Sequence, residues 1–476
     1  FFFFAPRAGS GGLAFTPSLS RILRFMCGGG RSEGPGKTMS QRSRASARAS
    51  VANAVPAKPG RGRGQKRTRT EIPAAEAKKV KLQLEVPQVD GGVVLTVGMG
   101  DVGQLGLGPD VEEKTRPAVV NLPESIVAIA AGGLHTVCLD KNGKVYTWGC
   151  NDEGALGRDT TCEEECFVSG VVELDAKVVQ ISAGDCHSAA LTETGDVYIW
   201  GCFRDNNGPL GLLTEGSGSR TPQQVLAGTP VIKVSSGNNH LALLSQDGRV
   251  FTFGCGEVGQ LGRIAEVFAS RGSRNRNGIQ ALLEPQPIKV YYRRKAVLFD
   301  EVWAGGLGTF VRGKTSGDIY GFGLNNYNQM GDDDTNQKFQ PMRLKSFAGK
   351  TWKQLSIGQH HSLGMTEGGV AHCMGRREYG RLGLGELKED MKKPTPITSL
   401  EKHKAKSVSA GECVSLVVVE GGQVFGFGMG TNNQLAQGDD DDQLVPVPLG
   451  GKQLAERNVV AAQAGGQHTV ILAVPR

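Results

Sequence analysis

From Val93 onward the chain repeats itself, and a repeat restricts a fold more than any composition does. Two motifs alternate. The first is a short β-branched or aromatic strand running into glycine: VLTVG, VYTWG, VYIWG, VFTFG, IYGFG, VAHCMG and VFGFG, closing at Gly98, Gly149, Gly201, Gly254, Gly323, Gly375 and Gly428. The second leads into another apolar strand and reads AGGLHTVCL, AGDCHSAAL, SGNNHLALL, AGGLGTFVR, IGQHHSLGM, AGECVSLVV and AGGQHTVIL. Successive closing glycines lie 51, 52, 53, 69, 52 and 53 residues apart. Between the motifs stand KNG, ETG, QDG, TSG and EGG, which supply the positive φ that a tight hairpin needs. Each unit therefore holds about four short strands and no helix of any length.

A four-stranded unit of ~50 residues cannot bury both of its faces alone, but seven set around an axis cover one another. The expected architecture is all-β, a seven-bladed β-propeller over residues 91–476, with small residues in the AGG segments allowing close approach at the centre. The array opens on a first-motif strand near Val93 and ends on a second-motif strand, Val470 to Val474. One blade should thus be shared between the two ends of the chain.

Charge divides the molecule differently. Residues 1–90 carry seventeen Lys and Arg against five Asp and Glu, so a chain of net +7 holds +12 there and −5 over the rest. This first segment is poor in hydrophobic periodicity and is expected to be disordered. Its cations cluster as Arg61, Arg63, Lys66, Arg67 and Arg69, then Lys78, Lys79 and Lys81. They suit nuclear import receptors and the DNA backbone, the alternative being a solubilising tail. The chain opens on FFFFAPRAGSGG without methionine, and two starts stay open, Phe1 as given and Met39. No apolar run reaches the ~18 residues of a membrane span, and no membrane partner is expected.

Covalent catalysis has no carrier in this sequence. It contains no nucleophile elbow, P-loop or HExxH, and the histidines recur in phase with the repeat, so a convergent catalytic set is missing. Each motif histidine is open to two readings, a hydrogen bond within the scaffold or a contact to a partner. Cys162 and Cys166 in CEEEC have ligand-like spacing but no second pair, and neither a metal nor a cofactor is expected.

Longer runs narrow the class. GDVGQLGLG (Gly100 to Gly108), CNDEGALGRDT (Cys150 to Thr160), FRDNNG (Phe203 to Gly208), EYGRLGLGE (Glu378 to Glu386) and GGQHTV (Gly465 to Val470) resemble the regulator of chromosome condensation family. Similar repeats occur in ubiquitin ligases, ciliary proteins and a plant photoreceptor built on clustered tryptophans, whereas this chain has only Trp148, Trp200, Trp303 and Trp352. The resemblance implies a monomeric guanine-nucleotide exchange factor for the small GTPase Ran, resident in the nucleus on chromatin and working without covalent chemistry. The competing expectation is a propeller scaffold that binds chromatin or proteins without exchange activity. Carried over by motif, the exchange interface would use Asp101, His135, Asp185, His360, His361 and His468, with Asn239 standing where the family has Asp. That substitution keeps shape but loses charge, and slower exchange is expected from it.

Two places depart from the repeat. From the closing glycine of the first motif the chain usually runs nine residues to the end of the following turn, as in GCNDEGALG, but takes eleven from Gly201 to Gly211, the excess falling in Phe203, Arg204, Asp205, Asn206, Asn207 and Gly208. This resembles the family's wedge, which presses on the nucleotide-binding region of the GTPase. The interval of 69 residues contains an Arg-rich insertion over residues 263–290, with Arg271, Arg274 and Arg276. The resemblance assigns it to the acidic patch of the histone dimer on the nucleosome, a task suited to the bidentate guanidinium, on a face opposite the exchange site.

Overall fold

The computed structural model describes residues 82–87, 89–123, 125–271 and 278–476. The eight tail cations named above, and Arg274 and Arg276, lie outside them.

Seven four-stranded antiparallel sheets are arranged as a β-propeller. The first blade closes the ring, pairing Val93–Met99 with the C-terminal strand His468–Pro475 from Val93 opposite Ala473 to Gly98 opposite His468. Glu113–Val119 and Arg457–Ala464 flank this pair. Blades two to seven follow in sequence at 126–172, 178–225, 231–287, 299–343, 352–396 and 405–448. The seven-bladed expectation and the blade shared by both ends are therefore what the chain forms.

The second strand of a blade carries the core. His135–Asp140, His187–Thr192, His240–Ser245 and Val414–Val419 are buried at every position. Both faces of such a strand meet apolar neighbours, one in its own blade's cover and one in the adjacent blade, so its sequence does not alternate. One shared cluster joins Ala189, Leu191 and Ile199 of blade three to Leu241, Leu243 and Phe253 of blade four.

Each first-motif glycine pairs across the sheet with the position that begins the second strand, as Gly149 with His135 and Gly375 with His361. All seven adopt positive φ, from 91° at Gly201 to 119° at Gly323. A Cβ on Gly201 would lie 2.2 Å from the Cys186 carbonyl oxygen, so no other residue fits. This pairing brings both motifs of every repeat to the same end of the propeller axis.

The tail boundary falls earlier than sequence places it. Leu84 packs against the core shared by blades three and four, and the Glu85 carbonyl accepts a hydrogen bond from Gln180 Nε2 at 3.2 Å. Residues 82–87, LQLEVP, thus lie on the propeller, with Leu84 as an apolar anchor just past the basic segment.

Candidate exchange interface

At the motif end of the axis, the A-G-x-x-H turns of successive blades bond one another through their backbones. Gly466 N donates to the Gly133 carbonyl at 3.0 Å, Gly133 N to Gly184 at 3.0 Å, Asp185 N to Asn238 at 2.7 Å, and Asn238 N to Gly306 at 2.9 Å. This rim is stiff because neighbouring backbones are in direct contact, as small residues permit. Beside it opens a cavity of about 480 Å³, lined by Asp185, Arg204, Asp205, Asn239, Glu257 and Glu412 among others.

Asp185 is the electrostatic centre of the cavity. Burial first, and then the nearby charge of Glu412, push its carboxyl up to about 7. Its Oδ2 accepts from Asn239 Nδ2 at 3.1 Å, while Asn239 Oδ1 accepts from the backbone N–H of Arg204 at 2.9 Å. The Asn239 amide therefore uses its donor on Asp185 and its acceptor on the enlarged segment, something a carboxylate could not do without a proton.

The six extra-long positions form a hairpin. Phe203–Asp205 pairs with Gly208–Gly211, and Asn206 and Asn207 make the turn. Gly208 takes φ +104°, the left-handed return that such a turn asks of its glycine. Blades on both sides hold it. Arg204 forms an ion pair with Glu153 of blade two, and Asn206 N donates to Glu257 Oε2 of blade four at 3.2 Å. The Asp205 carboxylate accepts from Asn207 N at 2.8 Å and from Arg271 Nε at 2.6 Å.

Phe203 is not part of the exposed tip. It is fully buried, with its ring 4.7 Å from that of His187 and edge-on to Phe253 at 5.6 Å. It packs in one cluster with Leu241 of blade four, which stands where the other blades have Ser or Thr. In other blades the histidine meets a Ser or Thr of the next blade, whereas among the described contacts both nitrogens of His187 lack a partner.

That inter-blade bond also corrects three expected contact residues. His135, His361 and His468 are enclosed. Their Nε2 atoms lie 2.8 Å from Ser188 Oγ, Ser415 Oγ and Thr136 Oγ1 of the following blade. Those hydroxyls in turn donate to the carbonyls of Ala155, Arg381 and Gln104, which leaves each imidazole the donor. Burial drives their pKa values down, to about 4 at His135 and about 3 at His468. They are neutral links between blades and reach no surface.

The remaining candidates are accessible. Asp101 is exposed and accepts from Gln104 Nε2 at 3.0 Å. His360 is half-buried with its ring 5.0 Å from Tyr327, and burial and then Arg376 lower its pKa to about 4. Neither lines the cavity around Asp185. Arg271 needs a second correction, because its guanidinium is engaged with the hairpin and so does not lie on a face opposite it. Sequence reading missed Glu153, Glu257 and Glu412. Of these only Glu412 had a signal, a carboxylate at the repeat position that Asp185 holds in its own blade, in the variant turn AGECV.

Comparison with known proteins agrees with this geometry. The model of the RCC1-like domain matches residues 93–471. The regulator of chromosome condensation of Homo sapiens is 51% identical over 385 residues, covering 80% of this chain and 90% of that protein. The guanine nucleotide exchange factor SRM1 of Saccharomyces cerevisiae is 28% identical over 428 residues, 78% of this chain and 85% of that one. The crystal structure of Prp20p from Saccharomyces cerevisiae, described with its binding to Gsp1p and histones, superposes with a TM-score of 0.74 at 28% identity, covering 82% of this chain and 93% of its own. A closed seven-bladed ring, the repeat motifs and half-identity over most of the chain place it in one group: this protein belongs to the RCC1-like domain family.

Proposed function

We propose that the chain is a guanine-nucleotide exchange factor for the small GTPase Ran, acting as a monomer in the nucleus on chromatin. The observation that carries this reading is the hairpin at 203–211, an insertion projecting beside an acidic cavity and braced from both neighbouring blades. Relatives named as exchange factors and as histone-binding support it.

The mechanism needs no covalent step. A partner that binds the nucleotide-free GTPase more tightly than the loaded one speeds release by that difference, every ~1.4 kcal/mol giving tenfold. In this reading Asp185, Asn239 and Asp101 engage the GTPase by hydrogen bonds and charge, and the hairpin tip, Arg204 to Gly208, enters the nucleotide-binding region. With Arg271 occupied, nucleosome docking falls to Arg274 and Arg276, and import and DNA binding to the tail cations. The test is release of a fluorescent guanine nucleotide from Ran with and without the purified chain. Acceleration supports the reading, and no acceleration leaves the scaffold alternative.

A further inference from the structure

We propose that Arg271 is a positioning residue that clamps the two strands of the hairpin together, so that its tip stays rigid during exchange; the second half of this statement rests on the exchange reading above. A hairpin of three and four residues has little stability of its own in water, and this one also breaks register between Phe203 and Arg204. What holds its far end comes from the insertion of blade four. Arg271 Nε donates to Asp205 Oδ2 at 2.6 Å, on the outgoing strand. Its Nη2 donates to the carbonyls of Gly208, at 3.0 Å, and Pro209, on the returning strand.

One planar fork thus spans both strands, and the same carboxylate reaches back to the turn through Asn207 N. The Asp205 side chain is only 2% exposed, so this pair is outside the class of solvent-screened surface bridges that contribute little. Gln280 Nε2 adds a second tie from the insertion, to the Leu213 carbonyl at 3.3 Å. Lysine in place of Arg271 would keep the charge but could not serve all three acceptors in one geometry.

The test uses the full chain carrying Arg271→Met, Arg271→Lys, Asp205→Asn, and Arg271→Met with Asp205→Asn. Amide hydrogen exchange at Asn206 and Asn207 reads the clamp, and Ran nucleotide release reads its consequence. In Arg271→Met those amides should lose protection by roughly tenfold while Val197–Gly201 keeps its own, and kcat should fall about tenfold with KM within about twofold. Arg271→Lys should recover part of both, and the double variant should lose no more than Arg271→Met alone. Unchanged protection in Arg271→Met, or additive losses in the double variant, would overturn the clamp. Lost protection with unchanged kcat would overturn the positioning role. A wild type that does not accelerate release removes the exchange reading, and the amide measurement still decides the clamp.

Discussion

At the scale of single residues, the Asp185 carboxyl has the strongest consequence. Held up to about 7 by burial and Glu412, it carries its charge only above neutral pH, so a basic partner must draw off a proton to pair with it. Affinity for Ran should fall by up to about tenfold per unit of pH below 7, and binding titrations on Asp185→Asn should lose that dependence. Asn239→Asp replaces an amide donor at 3.1 Å from Asp185 Oδ2 with a second acid, and two carboxyls that close share a proton. Faster exchange from this variant should therefore show at pH 8 and not at pH 6.5. Asp185 stood out in the sequence because it breaks its repeat. The roles of His135, His361 and His468 did not, since their hydroxyl partners lie a whole repeat away and the motif H-[ST] joins residues of different blades.

At the scale of the element, the hairpin was legible as a length excess and its fastening was not. Eleven residues against nine locate it, and Asn-Asn-Gly suggests a turn. Its holds come from Glu153, Glu257 and Arg271, which only the packing of blades two and four on either side of blade three brings together. Nor could sequence show that Phe203 belongs to the core, because its packing partners His187, Leu241 and Phe253 come from two different blades. Phe203→Ala should cost about 3–5 kcal/mol, read as a lower chemical-denaturation midpoint. Shortening the segment beyond Phe203 to the common length should leave that midpoint nearly unchanged, because Asn206 and Asn207 are exposed.

At the scale of the whole molecule, stability depends on seven blades remaining in register, and acid should break that. His135, His187, His240 and His468 are held neutral by burial, with pKa values of about 3 to 4, and His361 is lowered as well. Because these lie below the ordinary 6.5, the unfolded chain binds more protons in acid. Their contribution is complete above about pH 6.5 and is lost as pH falls through the folded values of about 4 at His135 and about 3 at His187, His240 and His468, at up to ~1.4 kcal/mol per histidine and unit of pH. The thermal midpoint should hold above neutrality and drop steeply below pH 6. The ring itself was the most legible feature, since its period, closing glycines and split blade are all written in the chain. The inner limit of the tail was not, because the alternation Leu82, Leu84 and Val86 is too short to mark a strand and its apolar cover belongs to distant blades. The most direct test of the account is nucleotide release from Ran by two folded proteins, the wild-type chain and one with the eleven residues Gly201 to Gly211 trimmed to the nine-residue pattern. Release accelerated by the first and not by the second is the expected result, and equal acceleration by both would contradict it.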